Sequence, residues 1–220
     1  MDIEYLLSDK TKKIGVVMAH CDDESLFLGG ILSKFANKNW KLVTCCLPYN
    51  AGDEDWKREM VRINYCSEVH KKLNLGGWEF LSFPGVRLYE DRSKVENLYS
   101  AVLLGNIPSL NVILIKKLID FDFDVIITHN CFGEYGAPWH TFVHNAVKTY
   151  KGLINNLVEV FTIAMHREGI RDNPDYVLKL DDELYNKKID LIDTYKGKAG
   201  TLKKYGLVDK RKEALWYESH

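Results

Sequence analysis

An α/β fold built on a doubly wound, mostly parallel sheet of about five or more strands is what this sequence predicts, and three observations predict it. Short apolar, β-rich runs with no polar face recur along the chain, as in Ile14-Gly15-Val16-Val17-Met18-Ala19, the pattern of strands buried on both sides. Segments of helical length and spacing lie between them, giving a βαβα order. No internal repeat, low-complexity tract or linker interrupts the 220 residues, a length that one core can serve. A single domain over 1–220 is therefore expected.

The elements follow in order. Ile14–Ala19 is the first strand, and Leu26 to about Asn37 the first helix, whose Gly29-Gly30 pair predicts close packing against a neighbour. Lys41–Leu47 is the second strand. Asp55–Leu73 has helical spacing, with Met60, Ile63 and Val69 among its apolar positions, and stops at Gly76-Gly77. The acids Asp53, Glu54 and Asp55 at its start complement the helix dipole. Trp78–Phe83 is the third strand, closed by Pro84-Gly85. Residues 86–107 lack a period and read as an excursion over the active face. Ser109–Ile119 is a helix, Val125–Thr128 the fourth strand, Trp139–Tyr150 a helix and Leu157–Met165 the fifth strand. The core thus spans about 12–165, and the charged part from 166 to 220 reads as two helices broken near Gly197–Gly200.

Composition narrows the function. A net charge of −1 leaves no electrostatic footprint for nucleic acid or an acidic membrane. The densest basic group, Lys203, Lys204, Lys210, Arg211 and Lys212, reads as a solvated helical face. No run reaches the about 18 apolar residues of a membrane span. The first thirteen residues are polar and acidic, unlike a signal peptide. Cys21, Cys45, Cys46, Cys66 and Cys131 form an odd set without a CxxC pair, so a reduced, cytoplasmic protein is expected, with no cysteine-held zinc. A nucleotide-binding module is disfavoured, because neither GxGxxG nor a Walker sequence follows the first strand.

In such folds ligands bind outside the carboxyl ends of the strands. His20-Cys21-Asp22-Asp23-Glu24 follows the first strand, and His129 to His140 follows the fourth. Three adjacent acids repel one another unless a positive charge sits among them, and histidine nitrogen with carboxylate oxygen suits zinc, although other divalent metals match the same donors. His20 and Asp23 can reach one ion from a tight turn, His140 can complete the set, and Asp22 is left to act on water. The plainer alternative is that Asp22 or Asp23 caps the following helix and that His140 is structural.

Ala19-His20-Cys21-Asp22-Asp23-Glu24 resembles the Ala-His-Pro-Asp-Asp-Glu signature of the PIG-L/LmbE-like zinc-dependent N-deacetylases. The run from His129 through Gly133-Glu134-Tyr135-Gly136-Ala137-Pro138-Trp139-His140 is similar to that family's second motif, and Val143-His144 fits its continuation. The likeness covers about 12–165 and implies a Rossmann-like fold acting on N-acetylated amino sugars or their conjugates. It places the zinc ligands on His20, Asp23 and His140, the general base on Asp22, and on Tyr135 the group that helps polarise the carbonyl. Glu24 is implied to be a supporting acid, and Arg58 a candidate for substrate binding or for holding the acidic rim together.

Three positions depart from the family. Cys21 replaces proline, and nothing around it resembles a thiolate nucleophile. Trp139 replaces an acid, where it either stacks on a sugar ring or packs. Ala137 stands where the family has a histidine that stabilises the oxyanion and helps protonate the leaving amine. Losing such a group costs on the order of 10²–10⁴ in rate. His144, His129 and Tyr135 are the candidates to replace it. The leading expectation is a zinc-dependent deacetylase of a small amino-sugar conjugate, with no nucleic-acid partner, no membrane span and room for homo-oligomers. The alternative is a metal-retaining sugar-binding homologue with little activity.

Overall fold

The computed structural model of the chain describes residues 2–46, 53–83, 108–154, 157–166, 169–170, 173–196 and 211–218, with backbone alone at 46, 53–60, 82–83, 108–109, 166 and 169–170. Helix α1 (Ile3–Ser8) precedes β1 (Ile14–Met18), α2 (Asp23–Phe35), β2 (Trp40–Cys46), α3 (Asp53–Lys72) and β3 (Gly77–Phe83). Next come α4 (Pro108–Phe121), β4 (Val125–Thr128), the short turn α5 (Gly133–Gly136), α6 (Pro138–Leu153) and β5 (Glu159–Ile163). The hairpin β6 (Met165–His166) and β7 (Gly169–Ile170), β8 (Tyr176–Lys179), α7 (Asp182–Thr194) and β9 (Lys212–Tyr217) complete the described elements. The expected excursion over 86–107 and the helix break near Gly197–Gly200 lie outside the described residues.

One sheet has seven strands in the order β3-β2-β1-β4-β5-β9-β8. β1 to β5 pair in parallel, and β9 and β8 pair antiparallel. Chain order runs outward from β1 through β2 to β3, then resumes on the other side with β4 and β5. The switch point therefore lies between β1 and β4, where such sheets open a crevice.

The alternation of strand side chains builds two separate cores. Ile14, Val16 and Met18 of β1, with Val125 and Ile127 of β4, pack into one cluster with α2. Val17, Ala19 and Ile126 pack into the other, under α4 and α6. This is why the strands read as uninterrupted apolar runs: each residue has a helix layer to face.

The part beyond 166 departs from expectation, since only α7 of it is helical among the described residues, and β8 and β9 join the sheet. β9 reads Lys-Glu-Ala-Leu-Trp-Tyr, and its first four residues are good helix formers. Sheet position overrides that preference, because β9 lies between β5 and β8. Arg211 and Lys212 accordingly lead into a strand, Arg211 pairing with Asp182 at 2.6 Å, rather than sitting on a helical face.

Burying Glu213 inside the sheet layer demands compensation, and three groups provide it. Lys188 of α7 approaches Oε1 at 2.8 Å, with both side chains 0% exposed. The amides of Gly30 and Ile31 in the middle of α2 donate to the two carboxylate oxygens at 2.9 and 2.7 Å. The Gly29-Gly30 pair makes this approach feasible: a Cβ at Gly29 would meet Lys188 Cγ at 2.9 Å, and one at Gly30 would meet Leu180 Cδ2 at 2.3 Å. Among the described residues, no helix is long and apolar enough to cross a membrane.

Candidate active site

Register brings the two motifs together. Val17 of β1 pairs with Thr128 of β4, and the Thr128 hydroxyl donates to the Val17 carbonyl at 2.9 Å. Both strands therefore end level, and the next residues, Ala19 to Glu24 and His129 onward, emerge side by side. The Ala19 amide donates to His129 Nε2 at 2.9 Å, tying the loops at their roots.

The turn after β1 is strained. Asp22 has φ 123° and ψ −23°, a conformation that costs a non-glycine residue about 1–3 kcal/mol. Asp22 occupies the N-cap position of α2 without a side-chain capping bond, so capping does not explain it. Its carboxylate instead meets the Arg62 guanidinium at 2.9 Å. Arg62 also reaches the Cys21 carbonyl at 3.4 Å, so α3 braces the whole turn. Burial raises the Asp22 pKa to about 6, with Arg62 pulling the other way.

Asp23 points into the crevice. Its Oδ2 accepts the His20 amide at 2.8 Å and lies 3.3 Å from His20 Nδ1, 3.3 Å from His140 Nε2 and 3.4 Å from His129 Nε2. Burial would raise its pKa, but the surrounding imidazoles win and hold it well below the usual carboxylate range. His20, Asp23 and His140 offer ligand atoms within 4.8 Å of one another, all from buried side chains. His140 Nε2 is buried and forms no hydrogen bond among the described residues. Leaving such a nitrogen unsatisfied costs about 1–3 kcal/mol, and a cation ligated there removes that cost. Two imidazole nitrogens and one carboxylate fit a divalent metal such as zinc.

Glu24 sits behind this trio. It accepts from the Asp22 amide at 3.1 Å, the Ser25 hydroxyl at 2.8 Å and the Tyr195 hydroxyl at 2.5 Å. Burial raises its pKa to about 7 despite those donors. Tyr195, at the end of α7, thus connects the C-terminal part to the strained turn.

On the other loop, Glu134 is buried and takes both imidazoles from below: Oε2 lies 3.0 Å from His129 Nδ1 and 2.5 Å from His140 Nδ1. The rings of His129 and His140 stack with centroids 3.8 Å apart. Burial works to lower the His129 pKa, but Glu134 and Asp23 outweigh it and raise it to about 9. The Ala19 amide, however, aims at Nε2, and only a lone pair can receive it. That contact favours the neutral ring, with its proton on Nδ1 toward Glu134. A cation beside Asp23 would offset the Asp23 charge and favour the same state.

The remaining predicted positions divide. Tyr135 is 37% exposed, with its ring 5.1 Å from that of His140, at the mouth of the site. Ala137 is 5% exposed at the N-cap of α6 and brings no polar group. Trp139 is only 2% exposed and packs edge-on against Phe142 at 5.5 Å. It belongs to the apolar layer under α6, so packing, not sugar stacking, is where the structure puts it. His129 has both ring nitrogens engaged. His144, one turn along α6 from His140, is bonded through Nδ1 to the His129 carbonyl at 3.0 Å. Both imidazoles therefore brace the loop from behind. Arg58 lies on α3, with its side chain outside the described residues.

Arg62, Glu134 and Tyr195 escaped the sequence reading. Arg62 lies one helical turn beyond Arg58, and periodicity alone cannot choose between two arginines on one face. Glu134 was visible inside its motif but had no distinguishing signal, and Tyr195 had none at all.

Comparison with known proteins identifies the family and the fold. Residues 15–151 match the PIG-L family, described as GlcNAc-PI de-N-acetylase. A deacetylase of 1D-myo-inositol 2-acetamido-2-deoxy-alpha-D-glucopyranoside from Mycobacteroides abscessus is 30% identical over 149 residues, which are 61% of this chain and 53% of that protein. The chain thus matches about half the length of this relative. Among solved structures, a deacetylase of teicoplanin biosynthesis superposes with a TM-score of 0.68 at 15% identity, over 93% of this chain and 96% of that one. A 4-carboxy-2-hydroxymuconate hydratase from Pseudomonas putida superposes with a TM-score of 0.63 at 13% identity, over 94% and 97%. These two likenesses concern the fold; the match over 15–151, which includes both loops of the site, shows that the chain belongs to the PIG-L family.

Proposed function

We propose that this protein is a zinc-dependent N-deacetylase that releases an acyl group, acetate in the simplest case, from the nitrogen of an amino sugar or its conjugate. The observation that carries the reading is the convergence of His20, Asp23 and His140 on one buried point, with Asp22 beside it. The named activities of the Mycobacteroides relative and of the teicoplanin-pathway structure support the substrate class.

When bound by His20, Asp23 and His140, zinc supplies a Lewis-acid charge that polarises an amide carbonyl and makes nearby water more acidic. Asp22, buried beside the proposed ligands, takes the proton from that water. Arg62 holds the Asp22 carboxylate in place through its 2.9 Å contact. Tyr135, at the mouth of the site, donates its hydroxyl to the developing oxyanion. Of the three candidates to replace the family's histidine, Tyr135 is the most exposed at 37%, whereas both ring nitrogens of His129 and Nδ1 of His144 have partners, which favours Tyr135 in this reading.

Ala137 supports a second reading, in which the chain keeps metal and sugar but turns over slowly. A reduced, cytoplasmic setting completes the proposal, in keeping with the unbridged thiols of Cys21, Cys45 and Cys66. The test is acetate release from a panel of N-acetylglucosamine conjugates, with chelator and after zinc is added back. Release that stops with chelator and returns with zinc is expected. No zinc-dependent release from any conjugate would overturn the deacetylase reading, and loss of zinc binding itself would overturn both.

A further inference from the structure

We infer that Glu134 is a positioning residue of the metal centre: its carboxylate holds the Nδ1 protons of His140 and His129, so that His140 turns its Nε2 lone pair toward Asp23. The inference rests on the reading of His20, Asp23 and His140 as metal ligands. Glu134 is not among the residues that reading requires.

The geometry argues for a clamp and against a ligand. His129, Glu134 and His140 also offer atoms within 4.8 Å of one another, so this trio is a second set able to hold an ion. It shares His140 with the first set, and an imidazole offers each nitrogen to a single partner. The Ala19 amide decides between the two. Because it donates to His129 Nε2 at 2.9 Å, the ring proton belongs on Nδ1, where Glu134 Oε2 lies 3.0 Å away. The same oxygen receives His140 Nδ1 at 2.5 Å. Oxygen Oε2 thus accepts two hydrogen bonds, and Oε1 accepts the Asn130 amide at 2.9 Å, which occupies the carboxylate with donors.

The backbone around Glu134 is built for this placement. Glu134 has φ 54° and ψ −66°, a strained conformation costing about 1–3 kcal/mol, and is flanked by Gly133 at φ 64° and Gly136 at φ 84°. The strain is anchored at its base by Asn130, whose Oδ1 accepts the Phe132 and Glu134 amides at 2.9 and 3.2 Å. Asn130 Nδ2 donates to the carbonyls of Ile163 and Met165 at 2.8 and 3.1 Å, which fixes the loop to the end of β5. A partner that sets the tautomer and orientation of a metal-binding histidine typically contributes 10–100-fold in metal affinity.

The experiment compares zinc affinity of the full chain and of Glu134→Gln by competition with a chelating dye, and records the visible spectrum of each with cobalt in place of zinc. Glu134→Gln is expected to hold zinc about 10–100-fold more weakly and to show shifted cobalt bands, while the metal-free melting temperature stays near that of the parent. Equal zinc affinity with an unchanged cobalt spectrum would overturn the inference. If the variant does not fold, nitrogen-15 spectra of the zinc-loaded parent decide: a proton on His140 Nδ1 supports the clamp, and metal on Nδ1 overturns it. A parent chain that binds no zinc fails the metal reading instead, and is told apart in the first titration.

Discussion

Of the buried carboxylates along α2, Glu213 and Asp23 are treated in opposite ways. Glu213, against the middle of the helix, is matched by Lys188 at 2.8 Å and by two backbone amides. Asp23, at the start of the same helix, accepts one backbone amide, that of His20 at 2.8 Å, and its described charged partners are the imidazoles of His20, His129 and His140, with no lysine or arginine among them. A buried charge is tolerated when paired, so Glu213 is complete within the fold. Asp23 is complete only if the histidines are protonated or a cation sits among them. Saturated charge marks structure here, and unsaturated charge marks chemistry. The distinction can be broken at either end.

The largest effect is expected at Asp22. Replacing it with asparagine keeps the shape and tolerates the φ of 123°, but removes the base. Turnover of an N-acetylated amino-sugar conjugate should fall by about 10²–10⁴, with zinc content unchanged. Steady-state kinetics on the zinc-loaded variant measure this. Unchanged turnover would mean that another group takes the water proton and that the strained turn serves the metal alone.

Position 137 should give the next effect, in the opposite direction. Ala137→His places an imidazole at the N-cap of α6, between Tyr135 and His140 in sequence. If the rest of the machinery is intact, turnover should rise by about 100-fold or more. A zinc-loaded Ala137→His protein with no gain would show either that Tyr135 already does the work or that the site binds without reacting. The Asp22→Asn result separates these, since a mere binder has no turnover to lose.

The two ends of α2 also differ in how much of them could be read in advance. The grouping of the candidate site was legible because its constraints are local: His20, Asp22 and Asp23 fall within four residues, and the strand before them advertises a buried sheet by its apolar run. Even His140, far along the chain, followed from the rule that strand ends share one rim. What holds those groups did not follow. Arg62 and Tyr195 reach the turn from α3 and from the end of α7, and no spacing in the sequence encodes that meeting. β9 was misread for a related reason. Its Lys-Glu-Ala-Leu start carries helical preference, and its burial depends on Lys188, 25 positions before Glu213 in the chain. For Trp139 the motif left sugar stacking and packing both open, and the helix period turns its face into the core.

The smallest effect tests the structural end alone. A methyl group at Gly30 would meet Leu180 Cδ2 at 2.3 Å and Glu213 Oε2 at 3.2 Å. Leu180 can swing aside, whereas Glu213 is fixed by Lys188 and the amides of Gly30 and Ile31. Overpacking of this kind costs about 1–3 kcal/mol, and alanine returns about 1 kcal/mol through its better helix propensity. The balance for Gly30→Ala is a loss of about 1 kcal/mol, seen as a fall of about 2–4 °C in melting temperature for a domain of this size. Zinc affinity should not change, because Asp23 lies two turns away and shares no partner with Glu213. A higher melting temperature would mean that the glycine pair does not serve the approach of Lys188 and Glu213. A matching loss of zinc affinity would mean that the two ends of α2 behave as one network, and that charge saturation does not separate structure from chemistry in this protein.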